Sequence, residues 1–460
     1  MAVSLPFDTL LQIFSYLPND VISCACVCRD WQIAAETFTF SNIHVNSANV
    51  HDLRRIVSAS PCNWRARYVR HIYFKIILLD YDVAARAHLE NQEDRDGNNN
   101  AFTQSISSLF EILSSWPYDE RSQVSLEIYA RSPSDWRAEP NWKERHTRHR
   151  TGCLFPEKDL LDLRYQSSYL QLTEAKHLSK PKCITAIDIS GYYPYRNIAP
   201  GAVSEMIAHL PRLQYTDVKL SDSEAMDTLL RDSLRDDFTT SNWSATLRHL
   251  GLVYEAKPNF TDTPPSPQRS KPGNDCLCLA LHQLSQQLET LSLDKLMIGP
   301  ELFWPEDANK SAPYWPNLTN LFMSYTFVST SGAWFFEQRP ESEDSPSLGS
   351  GSSDISNGLP RWSWLPTKYL DKLYLAAGRA AQHMPRLNGM GLEAKLPHGL
   401  LHDFVYVANV GSARWSIDSK FDISTEVEDT WNAAARSHGN DQISIEVTNS
   451  GTVDSDDGDI

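Results

Sequence analysis

Leu5-Pro6-Phe7-Asp8-Thr9-Leu10-Leu11-Gln12-Ile13-Phe14-Ser15-Tyr16-Leu17 opens the 460-residue chain, and the reading of everything downstream turns on this stretch. Leu10, Phe14 and Leu17 fall at i, i+4 and i+7, so a helix here has one apolar stripe to bury. Pro6 suits the first turn, where its missing N–H is not needed and its φ is already near helical. Pro18 stops the helix, and Asn19 or Asp20 can cap the next one by accepting from its free N–H groups. A second apolar stretch starts at Val21 and Ile22 and ends in Val27-Cys28-Arg29-Asp30-Trp31, with Ala34 and Ala35 one turn later. Val27 and Trp31 stand four apart, a spacing that stacks the indole over the preceding turn. A module this small leaves much apolar surface uncovered, which makes Ile13 and Leu5-Pro6 candidates for a partner's groove.

Read in order, these residues resemble the F-box, the three-helix module that docks a protein onto the adaptor Skp1 of a cullin-RING ubiquitin ligase. The resemblance runs from about Leu5 to Phe40 and includes the Val-Cys-Arg-x-Trp core. It implies that Leu5, Pro6, Leu10, Ile13, Leu17, Val27, Cys28 and Trp31 build or support a Skp1-binding surface. It also implies a non-catalytic substrate receptor whose partners are a Skp1-type adaptor, through it a cullin, and a target protein. Two rivals stay open: a Skp1-binding scaffold outside any ligase, and an enzyme with its site around His398, His402 and Trp415.

Bulk properties narrow the partners. The formal charge of −16 disfavours nonspecific binding to nucleic acid or anionic membrane, since both reward positive charge. The longest apolar run is Ile76-Ile77-Leu78-Leu79, far below a membrane span, and Asp8 interrupts the place where a signal peptide would be apolar. A cytoplasmic or nuclear protein is expected. Among the eight cysteines, Cys24, Cys26 and Cys28 fall in the predicted second helix, where residues two apart point roughly 200° from each other. Cys276 and Cys278 meet the same objection, and no CxxC pair exists, so no metal and no cofactor is expected.

Beyond the opening module the chain shows a weak internal repeat. His209-Leu210-Pro211-Arg212-Leu213 recurs as His383-Met384-Pro385-Arg386-Leu387, each time between a helical pattern and a strand-like one. Leu-x-x-Leu-x-Leu spacing appears at Leu247, Leu250, Leu252 and at Leu288, Leu291, Leu293, with looser copies at Leu318, Leu321, Met323 and at Leu387, Met390, Leu392. Proline ends each helix, and the alternating apolar residues that follow point one strand face inward. A unit this small must stack on its neighbour to bury a core. Together these features resemble the irregular leucine-rich repeats that follow an F-box in fungal proteins. Polar stretches near 91–100, 256–275 and 338–360 read as disordered insertions. The expected architecture is therefore α/β. A three-helix F-box (1–45) precedes an irregular leucine-rich-repeat-like solenoid (46–400), a small α+β C-terminal module (401–448) and a disordered acidic tail (449–460).

Catalytic motifs are sparse. His398 and His402 have the spacing of a helical zinc pair but lack the adjacent Glu of HExxH, and Pro397 and Gly399 weaken a helix there. Gly349-Ser350-Gly351 lies in low-complexity sequence and does not make a nucleophile elbow. The basic run from Arg131 to Arg150, with Trp136 and Trp142, reads first as a solvated loop, then as a surface for an acidic partner, and last as one for a nucleic-acid strand.

Overall fold

The computed structural model describes residues 5–17, 21–58, 63–82, 84–85, 88–116, 123–137, 161, 163–173, 177–190, 196–221, 228–255, 275–306, 312–340, 362–396, 401–417 and 422–449. Helices α1 (Phe7–Ser15), α2 (Val21–Cys24) and α3 (Arg29–Thr39) form the N-terminal bundle. Leu10, Phe14, Val21, Ala34 and Ala35 make its buried core, with Ile13, Trp31 and Phe38 packed against it. The small Ala34-Ala35 pair lets α3 approach closely, and Trp31 meets Phe14 edge-on at 5.4 Å. Two expectations are corrected. Val27 lies in the turn between α2 and α3 and is 63% exposed, so Trp31 packs edge-on against Phe14 instead. Of the three clustered cysteines only Cys24 is helical, because α2 ends there and Cys28 is the extended residue that starts α3. Pro18, Asn19 and Asp20 lie outside the described residues.

The chain divides into two compact units, Met1–Leu220 with Asn242–Leu247, and Ser221–Ser241 with Arg248–Ile460. In the first, α3 is followed by β1 (Asn42–Asn46), α4 (Val50–Leu53), β2 (His71–Ile77), α5 (Gln92–Ser114), β3 (Val124–Arg131), α6 (Ser134–Arg137), β4 (Ile184–Ile189), α7 (Pro200–Ala208) and β5 (Tyr215–Ser221). The strands lie side by side in chain order, all parallel. Ile72, Leu126, Ile187 and Thr216 stand in register and are buried, as do Val45, Phe74 and Ile128 one step on. The polar stretch at 91–100 is ordered helix rather than an insertion. Asn91 accepts from the Asp94 N–H at 2.8 Å to cap α5, and Asn98 is buried where its amide can donate to Glu90.

In the second unit come α8 (Thr228–Asp236), β6 (His249–Glu255), α9 (Cys276–Ser285), β7 (Thr290–Leu296), β8 (Asn320–Tyr325), β9 (Phe336–Pro340) and β10 (Trp362–Pro366). They are followed by α10 (Lys368–Ala381), β11 (Gly389–Lys395), β12 (Leu401–Val407), β13 (Ser412–Ile417), α11 (Thr425–Ser437) and β14 (Ser444–Asn449). Here the sequence repeats meet one another. Leu250, Leu291, Leu321 and Met390 form one in-register row, and Leu252, Leu293, Met323 and Leu392 the next. All are buried, each contributing about 1.5–3 kcal/mol of transfer free energy. The residue before each strand stacks the same way: Thr319 N–H donates to Glu289 O at 2.8 Å and Asn388 N–H to Thr319 O at 2.7 Å. The proline joints fold alike too, Leu213 N–H reaching Leu210 O in the first unit and Leu387 N–H reaching Met384 O in the second.

The strands after residue 400 extend this sheet instead of standing apart. β12 pairs antiparallel with β11 and β13 antiparallel with β12, after which β14 returns parallel. The texture change seen in the sequence is this switch from parallel to antiparallel pairing. Helix α11 covers the end: Trp431 is buried against Phe404 and Tyr406, and a Cβ on Gly378 of α10 would meet Trp431 at 3.3 Å and Thr430 at 2.8 Å.

Candidate adaptor-docking surface

An amphipathic helix buries its stripe and leaves the rest to solvent, yet the N-terminal bundle keeps large apolar side chains outside. Tyr16 is 78% exposed and Ile22 74%, and Leu5, Phe7, Leu17 and Val27 are exposed with them. Exposed apolar side chains scattered singly are ordinary, but here six fall among the described residues between 5 and 27. Among the eight residues singled out from the sequence, Leu5, Pro6, Leu17, Val27 and Cys28 are exposed and Ile13 and Trp31 are half-buried. Leu10 is different: it is buried in the bundle core, where it supports the surface without being part of it. Phe7, Tyr16 and Ile22 were missed: Tyr16 lies off the Leu10–Phe14 stripe, and Phe7 lies on it but at the exposed first position of α1.

The base of α3 is held by a device that the sequence did not announce. Glu36 is buried and accepts from Arg65 Nη2 at 2.6 Å, Arg65 Nε at 3.1 Å, Trp64 Nε1 at 3.2 Å and Gln32 Nε2 at 2.8 Å. Burial alone would raise its pKa, but these hydrogen bonds and the Arg65 charge outweigh it and hold the carboxyl below its ordinary value. Arg65 also lies over the Phe40 ring at 4.9 Å and Arg29 over Trp64 at 5.0 Å. Only Phe40 and Ser41 separate α3 from β1, and Ser41 O accepts the His71 N–H that starts β2. The bundle is thus fastened directly to the first strands.

Groups that could suggest chemistry elsewhere are packed inside. His402 is fully buried among Phe336, Tyr374 and Phe404, its Nε2 is 2.6 Å from Tyr374 Oη, and burial pulls its pKa down to about 3. It is therefore neutral at physiological pH. His398 lies outside the described residues. Trp415 stacks on Phe404 at 4.6 Å as core. Of the basic run only residues 131–137 are described; there Asp135 is buried and accepts from the hydroxyls of Tyr81 and Tyr165, each at 2.5 Å.

Two buried ion pairs stand out, one in each unit. Arg196 donates to both carboxylate oxygens of Glu90 at 3.0 and 2.8 Å, and Ser168 also bonds Glu90. In the second unit Arg235 grips Asp275 at 2.7 and 2.8 Å and bonds Met297 O, while Asp275 caps α9 through the Cys278 N–H. Fork-to-fork pairs of this kind tie together segments distant in the sequence.

No described helix is long and apolar enough to cross a membrane. Residues 2–44 match the F-box-like family. No curated protein matches the chain.

Proposed function

We propose that the chain is the target-holding subunit of a Skp1–cullin–F-box ubiquitin ligase. The observation that carries this reading is the F-box-like match over residues 2–44, supported by exposed apolar side chains on those same helices. Leu5, Pro6, Ile13, Leu17, Val27, Cys28 and Trp31 are the residues that meet the Skp1-type adaptor, with Phe7, Tyr16 and Ile22 beside them and Leu10 holding them in place. Through the adaptor the chain joins a cullin. Its own part involves no bond chemistry: it raises the local concentration of a target's lysines around a thioester carried by another subunit.

The downstream strands are read as leucine-rich-repeat-like. In-register apolar rows, stacked strand entries and repeated proline joints support that reading, while the unequal lengths between strands and the antiparallel end depart from a regular solenoid. Such stacking leaves one sheet face open for a target.

Co-expression of the full chain with Skp1 tests the proposal. Stable co-purification by wild type, lost in a Leu17→Asp, Val27→Asp variant with unchanged thermal melting, is the expected result. Wild type that is folded and does not bind Skp1 overturns it.

A further inference from the structure

In the first unit, the sheet face opposite the buried ladder carries one continuous row of side chains. His44, Tyr73, Glu127, Asp188 and Asp217 come from β1 to β5 in order, each in register with the next. His44 and Tyr73 lie stacked, their rings 4.4 Å apart and within 7° of parallel. The other three are carboxylates on neighbouring strands, about 4.8 Å apart, a placement that costs stability through like-charge repulsion. Burial and the Asp188 charge push up the carboxyls of both Glu127 and Asp217. Asp188 itself is held in place by the Ser190 N–H at 2.7 Å and hydroxyl at 2.5 Å. Two further rings flank the row: Tyr215, 49% exposed and two residues before Asp217, and Tyr129, which pairs with Lys75 one step beyond.

Apolar or neutral side chains would serve the fold better than this row, so its use lies outside the fold. We propose that it docks an extended segment of a partner protein bearing lysine or arginine, laid across the strands. Carboxylates pair with such cations, and the flat tyrosine rings take their stems and charged heads by cation–π contact. From Glu127 to Asp217 is two strand spacings, about 9.6 Å, which residues three apart match in a segment of polyproline II conformation, rising about 3.1 Å per residue with three residues per turn so that both project to one side. A metal ion does not fit, because no three ligating side chains among the described residues converge on one point. Nucleic acid is repelled by the sign of the charge. Identifying the partner with a ligase target rests on the adaptor reading; the docking itself does not.

The test uses the full chain and a fluorescent peptide carrying lysine at every third position among glycine and serine, with a glutamine-substituted peptide as reference. Anisotropy is measured for wild type, for Glu127→Gln, Asp188→Asn, Asp217→Asn together, and for Glu426→Gln, Glu428→Gln, Asp429→Asn on exposed positions of α11, which remove the same charge. Wild type should prefer the lysine peptide. The sheet variant should weaken it about tenfold and the α11 variant less than about twofold, as three exposed ion pairs imply. The sheet variant should also melt no lower than wild type, since it relieves repulsion. Should it fail to fold, Asp217→Asn alone decides, with an expected loss of about twofold to threefold. Equal losses in both triple variants, or no preference for lysine over glutamine, overturn the docking. Skp1 binding is measured on the same preparations. Peptide bound without Skp1 refutes the adaptor reading alone, and Skp1 bound without the peptide refutes the docking alone.

Discussion

The bundle of residues 7–39 and the strands after it orient their apolar side chains in opposite ways. In the strands of each unit one face is lined by in-register rows of buried apolar residues, each row packed beside the next. In the bundle five core residues are buried while Tyr16, Leu17, Ile22 and Val27 stay outside. Stacking lets a repeat satisfy itself internally. A three-helix module has too few layers for that and leaves these side chains at its surface. Stability should therefore respond most to the sheet interior and least to the bundle exterior, with binding responding the other way.

The largest effect is expected at a buried charge pair. Arg235→Met leaves Asp275 buried without its partner and should cost about 3–5 kcal/mol, whereas Arg235→Met with Asp275→Leu should recover much of that loss. Urea denaturation of the two variants makes the comparison. The pair also sets a pH response. Asp275 has its carboxyl pushed up by burial but held down overall by Arg235, so its contribution is present above the unfolded carboxylate range and fades as the pH falls through the lowered folded value. A double variant as unstable as the single one would show that Arg235 acts through packing and not charge.

Next is the apolar ladder itself. Leu291 stands between Leu250 and Leu321, and Leu291→Ala should cost about 2–5 kcal/mol, read as a fall in melting temperature. A loss below about 1 kcal/mol would mean that the row tolerates cavities and does not carry the stacking.

Glu36→Gln should cost less, about 1–3 kcal/mol, because the amide keeps one acceptor for the Arg65 fork but loses the charge. The carboxyl is held below its unfolded value, so this stability is full above the unfolded pKa and lost as the pH falls through the folded one. Wild type and variant should therefore converge in melting temperature as the pH drops below about 4. A gap that persists there would assign the loss to packing.

How much of this could be read from the sequence depended on whether the signal was local. The bundle was legible because a helical stripe and a Val-Cys-Arg-x-Trp run sit within 40 residues. The ladder was legible where leucine marked it, at Leu250, Leu291 and Leu321, and went unseen where β-branched or aromatic residues replace leucine, as at Ile72 and Phe74. The polar start of α5 misled because composition says nothing of Asn91 as a cap or of a buried Asn98–Glu90 bond. Pairs such as Glu90 with Arg196, and the row Glu127, Asp188, Asp217, join residues far apart in the chain. Only the fold brings them together, the row through strand register, and register is set by the packed core.

The smallest effect on stability, and the sharpest on binding, is expected on the exterior of the bundle. Ile22 is almost fully solvent-facing, so Ile22→Ser removes no packed neighbour and should change unfolding free energy by less than about 0.5 kcal/mol. If the exposed face is the adaptor surface, the same substitution removes an apolar anchor and should weaken Skp1 binding by about tenfold. Isothermal titration against Skp1 alongside thermal melting reads both. The two outcomes that matter are well separated. Binding lost with melting unchanged means that the bundle holds its apolar face for a partner. Melting lowered with binding intact means that Ile22 is covered within the chain, and the contrast between bundle and sheet disappears.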